Sequence, residues 1–274
     1  MARIMEVMAE SDPELSRPTW GRRVLDELRF LVGLGVTMTA LLTLVWGHYK
    51  IPSESMQPAL EVGDHIYVSK FAYGYSRHSL PFSLHNLPLP EGRILTRLPE
   101  RGDIVVFRNP NNGIVMIKRA IGLPGDEVQV VGGRLHINGQ AVPRIEQGQL
   151  LYRAHDTFRS VMQATAYAET LPGRDPHTIW EMGDDAVLDD TDVYVVPQGH
   201  VFFMGDNRER STDSRLSTQN PDGTAIFPAS AYGPGFVPVE NLIGRADLRL
   251  FSFNRCNRGE DLRCPDKGRA LSRL

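Results

Sequence analysis

The sequence has little cysteine and little net charge, and each shortage excludes a class of protein. Only two cysteines, Cys256 and Cys264, occur among the 274 residues, and both lie near the C-terminus. Two cysteines this close together suit neither a tetrahedral zinc site nor a CxxC redox motif. Outside the cytoplasm they would form a small-loop disulfide, and two free thiols are the alternative. The net charge of −3 argues against a nucleic-acid-binding protein, which usually carries a strongly basic surface.

The chain also lacks the local motifs that identify several common hydrolases. It has eight histidines but neither an HExxH zinc motif nor a GxSxG nucleophile elbow. A Ser-His-Asp triad can be scattered along a chain, so this shortage does not exclude one. The acidic run over residues 184–192 lacks the spacing and the glycine of an EF-hand, and we interpret it as solvated surface. We expect no metal ion and no cofactor.

Long apolar runs are equally scarce, and one stands out, over residues 30–47. Its 18 charge-free residues would extend about 27 Å as a helix, close to the roughly 30 Å hydrocarbon core of a bilayer. A cleavable signal peptide has a shorter apolar region and then a small-x-small site, which the following GHYKIP does not offer. Arg17, Arg22, Arg23 and Arg29 precede the run, and only Lys50 follows it closely. By the positive-inside rule we predict a cytoplasmic tail over 1–27, one transmembrane helix over 28–49 and an extracytoplasmic catalytic domain over 50–274.

After Lys50 the apolar runs become short and are separated by glycine and proline. Four of them are typical of β-strands, over residues 102–107, 114–121, 126–139 and 200–206. No long helical period lies between them, so the pattern predicts a mainly β fold with an antiparallel β-sheet catalytic domain. Asn138 and Gly139 predict a hairpin turn, because both residue types tolerate positive φ. The stretch over about 144–193 is expected to form an inserted β subregion.

Three polar segments could carry chemistry, although each has an ordinary structural reading when taken alone. Ser55 lies directly after the predicted helix, in Ile51-Pro-Ser-Glu-Ser-Met-Gln-Pro58, and could be a loop serine. Lys118 interrupts an apolar strand, where a lysine usually faces solvent. The third segment, over 204–215, is a dense polar loop that could be a turn held by its own hydrogen bonds.

A serine and a lysine can form a catalytic pair if the lysine is buried. A serine hydroxyl is a poor nucleophile until a nearby base takes its proton. Lysine can act as that base only when neutral, and its unperturbed pKa is about 10.4. Burial against apolar neighbours lowers this pKa, by as much as about 3–5 units in full burial. Ile117, Ala120 and Ile121 provide such a setting for Lys118, and arginine could not replace it because guanidinium effectively never deprotonates.

Together the three segments resemble the type I bacterial signal peptidases, a family of serine–lysine dyad proteases. Three motifs occur in the family's order: Ser53-x-Ser55-Met56-x-Pro58, Lys118-Arg119 with its Gly-Leu-Pro-Gly-Asp126 tail, and Gly205-Asp-Asn-Arg-x-x-Ser-x-Asp-Ser-Arg215. The resemblance covers residues 46–74, 102–143 and 194–255. Three positions depart from the family's common pattern, namely Glu54 in place of a small residue, Ala59 in place of threonine and Met116 in place of an aromatic residue.

The resemblance implies a role for each motif residue. Ser55 would be the nucleophile, Lys118 the general base, and Ser53 a hydroxyl donor to the oxyanion hole beside the Ser55 backbone N–H. Residues that orient the base or support its loop would be Ser211, Asp213 and Arg215. Shallow substrate pockets would be lined by Ile51, Pro52, Met56, Leu60, Met116 and Ile117.

The resemblance also implies a function and a location. The protein would cleave signal peptides from exported preproteins after small-x-small sites, at the outer face of a bacterial inner membrane. Its partners would be those signal peptides, the lipid bilayer and the protein-export machinery, with no nucleic acid. Two alternatives stay open: a specialised serine–lysine peptidase of a pilus or conjugation system, and an inert membrane-anchored binding domain.

Overall fold

The computed structural model describes residues 20–80, 92–155, 159–183, 186–216, 232–253, 262–265 and 269–274. The chain divides into two compact units, Met1–Leu41 and Leu42–Leu274. The strands are, in chain order, β1 Trp46–Lys50, β2 Asp64–Ser69, β3 Tyr75–Ser76, β4 Arg93–Ile94, β5 Ile104–Arg108, β6 Val115–Gly122, β7 Glu127–Val131, β8 Arg134–Ile137, β9 Gln140–Ala141, β10 Arg144–Arg153, β11 Val161–Glu169, β12 His177–Glu181, β13 Tyr194–Val195, β14 His200–Met204, β15 Val237–Pro238, β16 Leu242–Ser252 and β17 Ser272–Arg273.

Helix α1 spans Trp20–Leu44 and differs from the predicted 28–49 helix at both ends. It begins earlier, and it ends earlier because the next residues form β1, which pairs antiparallel with β2 from Trp46 opposite Ser69 to Lys50 opposite His65. Many of its apolar side chains are exposed, as Leu31 and Leu34 illustrate. By length and hydropathy, no helix among the described residues qualifies as a membrane span.

The largest sheet contains eight strands in the order β1-β2-β16-β5-β6-β14-β15, with β17 paired to β16. Its ladders are antiparallel, which confirms the prediction of a mainly antiparallel β fold. Strand β6 lies inside this sheet, between β5 and β14. Because both neighbours cover it, β6 is buried from Ile117 to Gly122, and any polar side chain it carries there is removed from water.

Three smaller sheets complete the described part. Strands β7, β8 and β9 form one sheet with β13, and the predicted turn at Asn138 and Gly139 joins β8 to β9 with both residues at positive φ. Strands β3 and β4 pair with each other. Strands β10, β11 and β12 form a separate antiparallel sheet, which we call the insert sheet. It lies within the stretch predicted as an inserted β subregion.

Apolar packing beneath the β1–β2 connection supports the region where the predicted nucleophile lies. Ile51, Met56 and Leu60 are almost fully buried there and pack with Ile66 and Ile117. The connection is also closed at its base, since the Ile51 N–H donates to the Asp64 carbonyl at 2.8 Å. Ser55 itself is buried directly above this cluster, between Glu54 and Met56 in the chain.

Candidate active site

The structure brings Ser55 and Lys118 into direct contact although 63 residues separate them. The Lys118 ammonium nitrogen Nζ donates a hydrogen bond to Ser55 Oγ at 2.5 Å. Both residues are buried, with 5% of Ser55 and 4% of Lys118 exposed. Lys118 reaches this point from the middle of β6, where its partner across the sheet is Val105 of β5. An ionisable amine thus contacts a hydroxyl at a position where both groups are almost completely shielded from solvent.

Burial changes the acid–base behaviour of Lys118. Removal from water lowers the pKa of Lys118 from 10.5 to about 8, since the ammonium loses its hydration. The carboxylates of Asp213 and Asp206 act in the opposite direction, and the Arg215 guanidinium lowers the pKa further. About half of the Lys118 amines are therefore neutral near pH 8, which makes this lysine competent to accept a proton from Ser55.

Ser53 lies on the exposed side of Ser55. The two Oγ atoms are 3.4 Å apart, and either hydroxyl can be the donor. Ser53 is exposed whereas Ser55 is buried, so a group that approaches Ser55 from solvent meets Ser53 first. A hydroxyl at this distance can donate to an oxyanion that forms on a carbon bonded to Ser55 Oγ.

Ser211 is buried close to Ser55, but no hydrogen bond joins its hydroxyl to Lys118, the base that the resemblance implies it would orient through such a bond. Among the described residues, no partner meets hydrogen-bond geometry for Ser211 Oγ. Its hydroxyl instead lies near enough to the Asp213 carboxylate to help lower the pKa of that group. Gly205 separates Ser211 from Ser55: a Cβ at this glycine would lie 2.3 Å from Ser211 Oγ and 2.4 Å from the Ser55 carbonyl oxygen. Only glycine fits between these two serines.

Asp213 and Arg215 form a buried ion pair that holds the 205–215 loop. The guanidinium donates from Nε and Nη2 to the two carboxylate oxygens, each at 2.9 Å. The same carboxylate accepts from the Gly205 N–H at 3.0 Å, and Arg215 also donates to the Arg208 carbonyl at 2.6 Å. Burial by itself would raise the pKa of Asp213, but Arg215 together with the Gly205 N–H and the Ser211 hydroxyl outweighs burial and holds that pKa below its usual value.

Three neighbouring residues were not singled out from the sequence, although the motifs contain them. Arg119 binds both carboxylate oxygens of Asp206, at 2.8 and 2.6 Å. The Asn207 N–H donates to the Ser55 carbonyl at 3.1 Å. The 205–215 loop is thereby held both by the strand that carries Lys118 and by the backbone of Ser55. Polar residues directly beside the motif positions were the available signal.

The insert sheet contacts the same loop from the other side. The Trp180 N–H of β12 donates to the Asp206 carbonyl at 2.8 Å, and the Arg208 N–H donates to the Trp180 carbonyl at 2.9 Å. The side chains of Arg208 and Glu169 form an ion pair in which both are at most 3% exposed. The predicted subregion is therefore part of the support of the 205–215 loop.

Most of the predicted pocket residues belong to the core. Four of them are at most 8% exposed and pack in the cluster beneath the nucleophile: Ile51, Met56, Leu60 and Ile117. Met116 is half-buried and packs against a different cluster, which includes Phe107. Pro52 is exposed, and it lines a cavity next to Ser53. The size and apolarity of a side chain in the sequence did not show whether it packs in the core beneath the site or faces a substrate.

The two cysteines can be followed only in part. Cys264 is disulfide-bonded, in keeping with the expected small-loop disulfide. Its expected partner, Cys256, lies outside the described residues.

Comparison with known proteins agrees with the chemistry of the site. The family model for signal peptidase, peptidase S26, matches residues 24–251. Signal peptidase I of Rickettsia akari (strain Hartford) is 37% identical over 216 residues, which are 76% of this chain and 73% of that protein. Signal peptidase I of Rickettsia typhi (strain Wilmington) has the same identity and coverage. A crystal structure of a signal peptidase I from Enterococcus faecalis V583 is 26% identical, covers 54% of this chain and 97% of that chain, and superposes with a TM-score of 0.28. The chain belongs to the signal peptidase family, peptidase S26.

Proposed function

We propose that this protein is a serine endopeptidase that removes signal peptides from exported preproteins, with Ser55 as nucleophile and Lys118 as general base. The observation that carries the proposal is the 2.5 Å contact between Lys118 Nζ and Ser55 Oγ in a buried setting. Family membership supports the reaction class, and the geometry supports the assignment of the two residues. The substrate has the small-x-small pattern that marks the end of a secretory signal peptide.

The reaction proceeds through an acyl-enzyme. Neutral Lys118 takes the hydroxyl proton of Ser55 while Oγ bonds to the carbonyl carbon of the scissile peptide. The resulting oxyanion accepts hydrogen bonds from the Ser55 N–H and the Ser53 hydroxyl. When the C–N bond breaks, the Lys118 ammonium gives its proton to the leaving amine and the acyl group stays on Ser55 as an ester. Water, deprotonated by the again neutral Lys118, then hydrolyses the ester.

The dependence of the reaction on pH follows from the base. Because catalysis needs neutral Lys118, kcat/KM rises as the pH increases through the Lys118 pKa of about 8. Below that pH, kcat/KM falls about tenfold per pH unit. A profile that stays flat from pH 6 to pH 9 would exclude Lys118 as the base.

We also propose that helix α1 anchors the enzyme in the inner membrane as a single pass, with the N-terminus in the cytoplasm. The charge-free run over residues 30–47, the exposed apolar side chains of α1 and the arginines that precede the run support this location. Extraction of membranes with alkaline carbonate tests it. Full-length protein that stays in the pellet supports an anchor, and release into the supernatant would exclude one.

The first experiment is cleavage of a preprotein with an A-x-A site in detergent. Wild-type protein should trim it at that site, whereas Ser55→Ala and Lys118→Met should lose activity by at least about 100-fold while they keep the wild-type circular dichroism spectrum. Cleavage that persists in Ser55→Ala would place the nucleophile elsewhere. An inactive wild-type protein that still binds preproteins would favour an inert binding domain.

A further inference from the structure

A cavity of about 470 Å³ opens next to the catalytic serines and has no assigned role. Its wall includes Pro52, Ser53 and Glu54 from residues 51–58, which we call the nucleophile loop, and Glu209 and Arg210 from the 205–215 loop. His155, which follows strand β10 of the insert sheet, closes another side. The cavity therefore begins at the two residues that precede Ser55 in the chain, and a polypeptide held at Ser55 can reach it within one or two residues.

The wall of the cavity is held together by a buried carboxylate. Glu54 is 8% exposed and lies between the two serines of the motif. Its Oε1 accepts from Arg210 Nε at 2.5 Å, and its Oε2 accepts from the His155 backbone N–H at 3.0 Å. One side chain thus joins the nucleophile loop, the 205–215 loop and the insert. Glu54 replaces the small residue common at this position, so the charge pair is a particular feature of this chain.

The two sides of Ser55 differ in polarity. Below the nucleophile loop lies the apolar cluster of Ile51, Met56 and Ile117. Beside the loop lies the cavity, with the charged groups of Glu54 and Arg210 in its wall. The cavity is the open and polar side of Ser55, so it suits the released chain better than the apolar segment and small-x-small site on the acyl side of the cut.

We propose that this cavity receives the first residues of the released chain, and that the Glu54–Arg210 ion pair determines which charges are accepted there. The inference rests on the proposed function and extends it to the leaving side of the scissile bond. Glu54 and Arg210 neutralise each other in the wild-type wall, and Glu209, which accepts from the Met182 N–H at 2.8 Å, contributes the same charge to the wild type and to every variant compared below. Removal of either charge changes the net charge of the wall by one unit, and the two removals change it in opposite directions.

The test uses two peptide substrates that are identical through the small-x-small site and differ in one residue, Lys or Glu, at the second position after the cut. Glu54→Gln removes one negative charge from the wall and should raise the Glu-to-Lys ratio of kcat/KM about two- to fivefold. Arg210→Gln leaves Glu54 unbalanced and should lower the same ratio by a similar factor. Glu100→Gln, which alters an exposed ion pair away from the cavity, is the matched control and should leave the ratio unchanged.

Opposite shifts in the two variants are the result that a purely structural role would not produce. Equal ratios in wild type and both variants, or shifts of the same sign, would overturn the proposal. A second pair of peptides carries the charge at the middle position of the small-x-small site. If the variants discriminate that pair instead, the cavity belongs to the acyl side and the assignment is wrong. Arg210 is 32% exposed, so Arg210→Gln gives an independent test if Glu54→Gln does not fold.

Failure of the proposed function would look different. In that case wild-type protein would cleave neither peptide, whereas failure of the cavity assignment leaves wild-type cleavage intact and only abolishes the opposite shifts.

Discussion

Two regions of the molecule bury a cation completely and give it opposite properties. In the eight-stranded sheet, burial lowers the pKa of Lys118 to about 8. Where the insert sheet meets the 205–215 loop, burial acts on Arg208 in the same direction, but the carboxylates of Glu169 and Glu181 outweigh it and raise its pKa. The difference lies in the partner, because Lys118 contacts a neutral hydroxyl and Arg208 contacts a carboxylate.

Nearby carboxylates do not cancel this difference, because they have arginine partners of their own. Asp213 is bound by Arg215 and Asp206 by Arg119, in both cases through two hydrogen bonds. Their influence on Lys118 is therefore reduced, although both still raise its pKa. The comparison shows that burial alone does not lower the pKa of a buried cation. The nearby carboxylates must also be bound by other cations.

The largest effect on stability is expected when Arg208, the cation paired with a carboxylate, is removed. Arg208→Met leaves Glu169 buried without its partner and should lower the free energy of unfolding by about 3–5 kcal/mol. Chemical denaturation of the full-length protein in detergent measures it. Arg245→Met, which breaks the more exposed pair with Asp247, should cost less than about 1 kcal/mol and serves as control. Equal losses in the two variants would show that Glu169 and Arg208 do not act as a buried pair.

Removal of Lys118, which contacts a neutral hydroxyl rather than a carboxylate, should instead raise the free energy of unfolding. The pKa of Lys118 is lower in the folded chain than in the unfolded chain, so the folded state carries the full penalty below about pH 8 and loses it as the pH rises towards 10.5. A shift of this size corresponds to about 3 kcal/mol. Lys118→Met should therefore be more stable than wild type at pH 7, by up to that amount. The gain should shrink when denaturation is repeated above pH 9, and a variant less stable than wild type at pH 7 would contradict the comparison.

A smaller loss of stability is expected from a substitution at Gly205, which lies between Ser55 and Ser211. In Gly205→Ala the new methyl group would overlap Ser211 and the Ser55 carbonyl, so the loop or the nucleophile must move. Overpacking of this kind costs about 1–3 kcal/mol, and kcat/KM should fall with it. Gly183→Ala is the matched control, because its Cβ would meet no atom within 4 Å. Wild-type activity in Gly205→Ala would show that the spacing of Ser55 and Ser211 is not critical.

The smallest effect is expected when Asp213, a carboxylate that Arg215 already binds, loses its charge and with it its influence on the pKa of Lys118. Asp213 raises the pKa of Lys118, so Asp213→Asn should lower that pKa and move the acidic limb of the kcat/KM profile to lower pH. Asp247→Asn is a suitable control, since Asp247 also pairs with an arginine two residues away in the chain. A shift of the limb to higher pH would mean that Asp213 does not act on Lys118 through its charge.

The regular elements of the fold could be predicted from local patterns. Short apolar runs separated by turn residues predicted strands β5, β6 and β14, and the Asn138–Gly139 turn follows from the conformational freedom of those two residues. The C-terminal end of helix α1 could not be predicted in this way. Residues 46 and 47 still belong to the apolar run, and they form part of strand β1 only because β2 lies beside them.

The candidate site shows the same division. The presence of a lysine in an apolar strand and a serine directly after the apolar run was readable from the chain. The roles assigned to the pocket residues were not, since an apolar side chain beside a nucleophile can face the core or the cleft. The structure places Met56 and Leu60 fully in the core.

The sequence by itself determined the strand pattern, the order of the catalytic motifs and the family, because all of these depend on residues close together in the chain. Only the tertiary structure decided how charges are partnered. Glu54 meets Arg210 across 156 positions, and Arg208 meets Glu169 across 39. Desolvation and Coulomb interactions depend on distance and burial in space. The pKa of Lys118 therefore depends on neighbours that only the folded chain brings to it.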